Sequence, residues 1–470
     1  MTYIERFLKH KLIYSIDDNP PWVEAIPLGF QQYLTMFGST VAIPLLLSEP
    51  LGIADKPIEL GWLIGTMFFV SGITTLLQTT WGNRLPLIQG GTFSFLAPAF
   101  SIAGMAAVRE AGFEVRLQHI QGAVIAGSFF EMLVGYSGLM GKLLRFVGPI
   151  TIAPTIALIG LALFNLGAPE AGKHWGIGGL TIVLIILFSQ YMRRTHRAFE
   201  LFPIMLAILL SWGAASLLTA LGVFAEGHPA YVSMDNVRAA PWVRIPYPFQ
   251  WGMPVFGLAA TVGMLAGYLA SMVESVGDYY ACARLAGAPI PNASVVNRGI
   301  GMEGIGCLIA GMFGTGNGTT SYSENIGAIG LTRVGSRRVV QAGAAFMLVL
   351  GAFGKFGALF TTIPQPIVGG MYCAMFGMIA AVGLSNLQFV NLNSARNLFI
   401  LGFAFYMGLS VPQYFTANPV ELGPEWSLLT DVINTLGRTG MAVGAFLALA
   451  LDNTIPGTDE ERGLTAWNSA

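Results

Sequence analysis

Three acidic residues lie inside long apolar stretches of the sequence, where a charged side chain is costly. Glu274 and Asp278 are four positions apart in MVESVGDYYACAR, so a helix places them on one face. Glu324 follows the polar tract GTTSYS and begins an apolar pattern. An acid at the centre of a membrane-spanning helix costs about 3 kcal/mol on insertion scales, so such residues usually have a function. Carboxylates in these positions can accept hydrogen bonds from a bound molecule or bind a hard cation.

Structural explanations exist for the same acids. Glu324 could complement the positive end of the helix that it begins, and Asp278 could bond to backbone groups or water. Glu131 and Glu303 also lie in apolar stretches, but outside the interrupted segments described next. We expect these last two carboxylates to be structural.

Two stretches interrupt the apolar pattern with Gly, Thr and other polar residues. They read LPLIQGGTFSFLAPAF (85–100) and GTGNGTTSYSENIGAIGLT (314–332), and each ends in a helical pattern. Irregular backbone at membrane depth is tolerated only where protein or a water-filled cavity surrounds it. A pair of interrupted segments at matching positions in two halves of a chain indicates a transporter binding site. We therefore expect two half-helices whose unpaired backbone N–H groups face a substrate.

The composition of the chain indicates a polytopic membrane protein. Of 470 residues, 54% are hydrophobic and 10% are charged, with a mean hydropathy of +0.64. A soluble globular chain carries about 25% charged residues. The 24 Lys and Arg nearly balance the 25 Asp and Glu, so there is no basic surplus for binding nucleic acid.

Fourteen apolar stretches are candidates for membrane spans, since a spanning helix needs about 20 mostly apolar residues. They are 24–48, 60–82, 86–107, 118–140, 143–167, 176–192, 199–223, 254–280, 296–314, 318–332, 339–360, 364–383, 397–412 and 428–451. With the N-terminus inside the cell, sixteen Lys and Arg fall on the cytoplasmic side, seven fall on the opposite side, and Lys355 lies within a stretch. The positive-inside rule then predicts that both termini are cytoplasmic.

The longest polar stretch lies at the middle of the chain and divides it into two similar halves. Seven spans on each side is an odd number, so the second half must begin on the opposite face, as in an inverted-topology repeat. The predicted divisions are a cytoplasmic N-terminal segment (1–23), a first repeat (24–223), an extracellular or periplasmic loop (224–253), a second repeat (254–451) and a cytoplasmic tail (452–470).

The N-terminus and the reactive residues favour a transporter over an enzyme. The first 22 residues mix acids with bases and contain no continuous apolar run, so we expect no cleaved signal peptide and a plasma or bacterial inner membrane location. All five histidines fall in loops or at the ends of spans, and the three cysteines are sparse. The pattern contains neither a His/Cys metal cluster nor a nucleophile with its base, so we expect no enzyme and no cofactor.

Four sequence features resemble the nucleobase–ascorbate transporter family, also called nucleobase:cation symporter-2. They are Gln31-Gln32 in LGFQQYLTMFGSTVAIP, QGGTFSF at 89–95, MVESVGDYYACARLAGAP at 272–289, and Glu324-Asn325-Ile326-Gly327 followed by Leu331-Thr332-Arg333. The last is similar to the family signature, and the resemblance covers residues 24–451. It implies an all-α polytopic fold of fourteen spans in two inverted seven-span repeats, with short strands in the broken spans 3 and 10.

The resemblance also implies how such a protein works. Spans 1–4 and 8–11 would form a core domain, and spans 5–7 and 12–14 would form a gate domain. Substrate would lie between spans 3 and 10, and it would cross the membrane when core moves against gate, in an elevator-type motion. Members are typically homodimers in the lipid bilayer.

The substrate is predicted from the first residue of the signature, which is Glu here as in bacterial uracil carriers. Vertebrate ascorbate carriers have Pro at that position, and many purine carriers have Gln. A carboxylate accepts hydrogen bonds from the ring N–H groups of uracil or xanthine, whereas Glu324 would repel the ascorbate anion. Tyr322 also resembles the uracil carriers, but ESVGDYYACAR and GSRRVVQ resemble the ascorbate branch. We expect a nucleobase importer, and a sodium-coupled carrier of ascorbate or another organic anion is the alternative.

We assign roles to individual residues on this basis. Glu274 and Glu324 would hold the nucleobase, with Phe93 stacked on its face. Phe95 is the second choice for stacking, and both phenylalanines are equally compatible with plain core packing. The remaining predicted substrate-binding residues are Tyr322, Ser323 and Asn325.

Cation coupling is assigned to three further residues. Relatives have Gln-His where this chain has Gln31-Gln32, and bacterial uracil carriers have His where this chain has Asp278. Gln does not titrate and Asp is a hard oxygen ligand, so the changes favour Na⁺ near Asp278. A buried carboxylate with a raised pKa still carries protons, so H⁺ coupling stays open.

Overall fold

The computed structural model describes residues 12–140 and 146–465 and shows a mostly helical, polytopic membrane protein. Helices dominate because a backbone in lipid must pair its own N–H and C=O groups. The predicted cytoplasmic bases Arg6, Lys9, Lys11, Lys142 and Arg145 lie outside the described residues.

The first half of the chain contains ten described helices and one short strand. These are α1 (Trp22–Leu51), α2 (Pro57–Thr80), β1 (Gln89–Gly90), α3 (Leu96–Ala103), α4 (Ala106–Arg109), α5 (Phe113–Tyr136), α6 (Pro149–Leu161), α7 (Phe164–Gly172), α8 (Trp175–Ile186), α9 (Arg197–Leu201) and α10 (Pro203–Ala220). A 3₁₀ turn, Phe93–Phe95, leads into α3, and a π-helical turn, Leu187–Tyr191, ends α8.

The second half of the chain begins with the polar middle segment and is also mostly helical. Its described elements are α11 (Asp235–Ala239), α12 (Leu258–Leu285), α13 (Ala293–Phe313), β2 (Thr320–Ser321), α14 (Ser323–Thr332), α15 (Arg337–Gly351), α16 (Gly354–Phe360), α17 (Gln365–Ser385), α18 (Ala395–Ala417), α19 (Ser427–Gly437) and α20 (Gly440–Thr454). Short 3₁₀ turns cover Asn386–Phe389 and Pro424–Trp426.

Every one of the fourteen predicted stretches overlaps one or more of these helices. By length and composition, seven segments of the described chain are able to cross a membrane, and α19 with α20 makes an eighth if this pair, bent by 86°, is one span. The seven are Trp22–Leu51, Pro57–Thr80, Pro149–Gly172, Pro203–Ala220, Leu258–Leu285, Gln365–Phe389 and Ala395–Ala417. The other stretches are shorter or more polar, because Gly, Pro and charged residues interrupt them.

The two interrupted segments meet as a pair of antiparallel strands. Gln89 in β1 lies opposite Ser321 in β2, and Gly90 lies opposite Thr320. The pairing extends by one bond, from the amide of Tyr322 to the carbonyl of Ile88 at 3.0 Å. The sequence-based expectation of short strands at these two places is thus met in the structure.

Glycines allow the helices around the strand pair to pack backbone against backbone. A Cβ atom added to Gly135 in α5 would lie 2.2 Å from the amide nitrogen of Gly301 in α13. A Cβ atom on Gly61 in α2 would lie 3.1 Å from the amide nitrogen of Ala358 in α16. Contacts of this kind are typical of membrane helices, where packing rather than the hydrophobic effect holds the helices together.

The polar middle segment is fastened to the helical bundle through Arg244. Its guanidinium lies over the rings of Trp62 and Trp251, 4.5 and 5.8 Å from the ring centres. It also donates to the side chain of Gln250 at 2.5 Å. Burial lowers the pKa of Arg244 to about 10, so the side chain keeps its charge at neutral pH. Cation–π and hydrogen bonds together fix this segment on α2.

The described part of the N-terminal segment lies against the loop after α14. Tyr14 forms a parallel bridge with Val334, and the hydroxyl of Ser336 donates to the carbonyl of Asp18 at 2.7 Å. Arg337 forms a salt bridge with Asp17. The segment that follows the signature is therefore held by the beginning of the chain.

Candidate substrate cavity

A central cavity of about 360 Å³ lies between two groups of helices. One wall consists of α1, α12 and the two interrupted segments, and the other consists of α6, α17, α10 and the end of α9. The lining residues are Leu34, Thr35, Gly38, Ser39, Gly91, Thr92, Phe93, Ile156, Glu200, Leu201, Phe202, Pro203, Ile204, Met205, Glu274, Thr320, Tyr322, Ser323, Glu324, Met375, Met378, Ile379 and Val382. Its size is that of a small-molecule site.

The interrupted segments satisfy each other's backbone. Asn325 accepts a hydrogen bond from the amide of Ile88 at 3.3 Å and donates to the carbonyl of Pro86 at 3.0 Å. Asn317 accepts from the amide of Thr92 at 2.8 Å. Asn325 is fully buried and does not line the cavity, so its side chain positions the segments.

Glu324 reaches the cavity from the first turn of α14. The hydroxyl of Ser39 in α1 donates a hydrogen bond to the Glu324 carboxylate. The neighbouring Ser323 also lines the cavity, and its hydroxyl donates to Asp278 at 2.9 Å. The N-terminus of α14, with N–H groups that have no partner within the helix, therefore opens beside Glu324.

Tyr322 lies at the base of the cavity. Only 4% of its surface is exposed, and its hydroxyl is 3.3 Å from the hydroxyl of Thr40 in α1. Its ring lies flat against Gly90, where an added Cβ atom would come within 2.7 Å of the ring. The strand pair therefore requires glycine at position 90.

Glu274 and Asp278 occupy different environments, although they are one turn apart on α12. Glu274 is half-buried and lines the cavity. Asp278 is 7% exposed and does not line it, and its second carboxylate oxygen is buried without a hydrogen-bond partner among the described residues. Ser323 connects the two environments, because it lines the cavity and bonds to Asp278.

Gln31 and Gln32 form no hydrogen bond with Asp278 among the described residues. Gln31 lines a separate cavity of about 550 Å³ beside the described N-terminal residues. Gln32 is 2% exposed, and its side-chain oxygen has no partner in the described parts of the chain. It packs on the side of α1 that faces α15, since Gly343 is its neighbour there.

The two phenylalanines of the first interrupted segment also separate. Phe93 is half-buried, lines the cavity and lies 6.4 Å from the ring of Phe376 in α17. Phe95 is fully buried and packs on Tyr268 with ring centres 4.6 Å apart. Of the two, only Phe93 presents a face to the cavity.

Sequence reasoning missed several residues of the cavity. Ser39 and Thr40 in α1 contact Glu324 and Tyr322, respectively. Glu200 lies at the end of α9 and forms a salt bridge with Arg193 at 3.4 Å. The apolar wall from α17 includes Met375. Glu200 carried little sequence signal, because it is the second residue of the predicted stretch 199–223 and directly follows a basic segment.

The charged residues of the described cavity lining are all acidic. Among the described residues that line it, three are acidic (Glu200, Glu274 and Glu324) and none is Lys, Arg or His. Within the described chain there is no group of three or more His, Cys, Asp and Glu side chains that could hold a metal ion. The cavity is therefore suited to a ligand that donates hydrogen bonds.

Known proteins resemble this chain in sequence and in fold. The profile of the Permease family (Xan_ur_permease) matches residues 23–417. Solute carrier family 23 member 2 of Rattus norvegicus is 49% identical, covering 97% of this chain and 76% of that protein. Nucleobase-ascorbate transporter 1 of Arabidopsis thaliana is 40% identical, covering 97% and 92%. The transmembrane domain of the cyanobacterium bicarbonate transporter BicA has a similar fold, with a TM-score of 0.57, 15% identity and coverage of 90% and 99%.

The contact between Gly90 and Tyr322 gives a test of the strand pair. We predict that Gly90→Ala lowers the free energy of unfolding by about 1–3 kcal/mol, because the new methyl group overpacks the Tyr322 ring. Melting of the purified protein in detergent measures the change. Gly277→Ala in α12 is the matched control, since nothing lies within 4 Å of its added Cβ atom. Equal melting of both variants with the wild type would contradict this geometry.

Proposed function

The chain belongs to the nucleobase–ascorbate transporter family, and on that premise we propose that it imports a nucleobase, uracil or a purine such as xanthine, by cation symport. The family consists of membrane transporters, so no chemical conversion of the substrate is expected. The substrate occupies the central cavity.

The charge of the cavity supports a neutral substrate with N–H donors. Two like charges about 4 Å apart repel by about 4 kcal/mol at an effective dielectric constant near 20. An anion beside Glu274 and Glu324 would meet this repulsion without a basic residue in the described lining to offset it. A nucleobase instead offers ring N–H groups, which carboxylates bind through charge-assisted hydrogen bonds.

We assign the contacts of the base from the arrangement of the lining. Glu324 and Glu274 accept its N–H groups, and the open amides at the start of α14 donate to its carbonyl oxygens. Phe93 stacks on the ring. Tyr322 and Ser323 complete the polar wall. Asn325 does not contact the base but positions Glu324, because its side chain bonds to the first interrupted segment.

Ascorbate is the second candidate substrate. The relatives favour it, since the Arabidopsis thaliana protein is named for both nucleobase and ascorbate, and the match to solute carrier family 23 extends over nearly the whole chain. A bound sodium ion near Asp278 would offset part of the repulsion between the carboxylates and an anion.

The finer architecture belongs to the same proposal. Fourteen spans form two inverted repeats, with spans 1–4 and 8–11 as the core and spans 5–7 and 12–14 as the gate. The antiparallel strands from the two halves and a cavity between two groups of helices support this division. Transport is an elevator-type movement of core against gate in a homodimer. The protein lies in a plasma or inner membrane with both termini cytoplasmic.

Asp278 is the proposed coupling residue. It lies outside the cavity lining, yet it bonds to Ser323, which lies in it. A cation at Asp278 would therefore set the position of the first turn of α14. Both H⁺ and Na⁺ suit a buried carboxylate. Gln31 and Gln32 would contribute to coupling from α1, where Gln31 lines the separate cavity beside the N-terminal residues and the oxygen of Gln32 has no partner in the described chain.

Replacing Glu324 tests the substrate assignment. We predict that Glu324→Ala weakens binding of uracil or xanthine by about 10- to 100-fold, because a hydrogen bond to a charged group is worth about 1.5–3 kcal/mol. Equilibrium binding of the radiolabelled base to the purified protein measures the loss. Glu110→Ala is the control, since Glu110 is an exposed acid that pairs only with Arg109 among the described residues. Wild-type affinity in Glu324→Ala would remove Glu324 from the site.

Replacing Asp278 tests the coupling assignment. We predict that Asp278→Asn abolishes accumulation of the base against its gradient but leaves exchange of base for base, because the cation contact is lost and the cavity lining is kept. Proteoliposomes with a Na⁺ gradient at equal pH, or a pH gradient without Na⁺, identify the ion. Asp235→Asn, an exposed change in the middle segment, is the control. Full accumulation by Asp278→Asn under the effective gradient would contradict the assignment.

A further inference from the structure

Two buried carboxylates lie behind the strand pair, away from the substrate cavity. Glu131 in α5 is completely buried, and neither of its oxygens has a hydrogen-bond partner among the described residues. Glu303 in α13 is 1% exposed, and one of its oxygens also lacks a partner there. A buried polar group without a partner is rare and needs an explanation.

Close backbone contacts at a glycine hold α5 and α13 together beside Glu131 and Glu303. A Cβ atom on Gly304 would lie 2.7 Å from the amide nitrogen of Met132 and 3.1 Å from the carbonyl of Ser128. Glu131 directly precedes Met132 in the chain, and Glu303 directly precedes Gly304. The two carboxylates interact electrostatically. The close approach of the two backbones therefore holds Glu131 and Glu303 near enough to interact.

The groups around Glu131 do not neutralise it. In the described chain, the titratable side chains that interact with it are Glu303 and Cys307 from α13, and Tyr268 and Tyr279 from α12. None of these is basic, and Tyr268 already donates its hydroxyl to the carbonyl of Val124 at 2.6 Å. Two neighbouring carboxylates without a cation cannot both be ionised, so such a pair holds a proton.

Donors are distributed unequally between the two acids. Glu303 accepts from the hydroxyl of Ser321 at 2.6 Å and from the hydroxyl of Tyr279 at 2.9 Å. Glu131 has no hydroxyl donor among the described residues, and the neighbouring Cys307 thiol donates instead to the carbonyl of Thr319 at 3.3 Å. An ionised Glu303 is thus solvated by hydroxyls, whereas Glu131 is suited to carry a proton.

We propose that Glu131 and Glu303 form a proton-binding pair that shares one proton and exchanges it during the transport cycle. This goes beyond the coupling role given to Asp278, and it rests on the proposed function insofar as it involves transport. The ligand is a proton rather than a metal ion, because the described chain contains no group of three or more His, Cys, Asp and Glu side chains that could hold a metal ion.

Hydrogen bonds through Ser321, Ser275 and Thr320 connect the pair to the substrate cavity. Ser321, which bonds to Glu303, receives a hydrogen bond from the side chain of Gln89 in β1 at 2.8 Å. The amide of Ser321 donates to the hydroxyl of Ser275 at 3.4 Å, and that hydroxyl is 2.9 Å from the hydroxyl of Thr320, which lines the cavity. A shift of β2 on substrate binding would therefore change the donors that stabilise ionised Glu303.

The test uses Glu131→Gln, which keeps the size of the side chain but cannot release a proton. In infrared spectra of the ligand-free protein, we expect the wild type to show a protonated-carboxyl carbonyl band that Glu131→Gln lacks. Glu110→Gln, an exposed change, should keep the band. A band that is unchanged in Glu131→Gln, or absent from the wild type, would overturn the proton-binding pair.

Transport gives the second readout. The pH gradient that just halts net uptake of the base, measured in proteoliposomes with Na⁺ equal on both sides, gives the number of protons moved for each substrate. We expect Glu131→Gln to lower that number by one while affinity for the base stays unchanged at fixed pH. An unchanged number would mean that the proton is held permanently and would overturn the exchange. Failure of the wild type to bind any nucleobase would refute the proposed function instead, and the infrared result would still decide the pair.

Discussion

The structure depends on one constraint, which is that irregular backbone inside a membrane must find partners within the protein. The two interrupted segments meet this constraint by bonding to each other. Strand pairing joins them, and the side chains of Asn325 and Asn317 accept from two further amides of the first segment, while Asn325 also donates to one of its carbonyls. Because the partners are supplied from opposite halves of the chain, the start of α14 is held at the edge of a cavity with its N–H groups open.

Polar groups around this junction fall into layers. The cavity layer holds Glu274 and Glu324, where a ligand can supply the donors. Behind it, Asp278 bonds to Ser323, and deeper still Glu303 bonds to Ser321. Ser321 and Ser323 of one short segment thus bond to acids in the two inner layers, and Glu324 of the same segment lies in the cavity layer. A small displacement of β2 and α14 therefore changes the surroundings of all these acids. Such an arrangement suits coupling between substrate and cation.

Much of this could be predicted from sequence, for identifiable reasons. The interrupted segments are visible because Gly and Thr break an apolar pattern, and Glu324 is visible because an acid is rare there. The roles of Phe93 and Phe95 could not be separated, since both lie in one 3₁₀ turn whose orientation depends on Tyr268. Glu200 and the pairing of Glu131 with Glu303 depend on contacts between distant helices, which a single sequence does not encode locally.

The central claim is that a cavity lined by carboxylates selects a neutral donor of hydrogen bonds over an anion. Competition against one bound radiolabelled nucleobase, at fixed pH and fixed Na⁺, measures this selection directly. The account predicts that unlabelled uracil or xanthine displaces the label and that ascorbate at the same concentration does not. Displacement by ascorbate, with uracil and xanthine ineffective against labelled ascorbate, would contradict it.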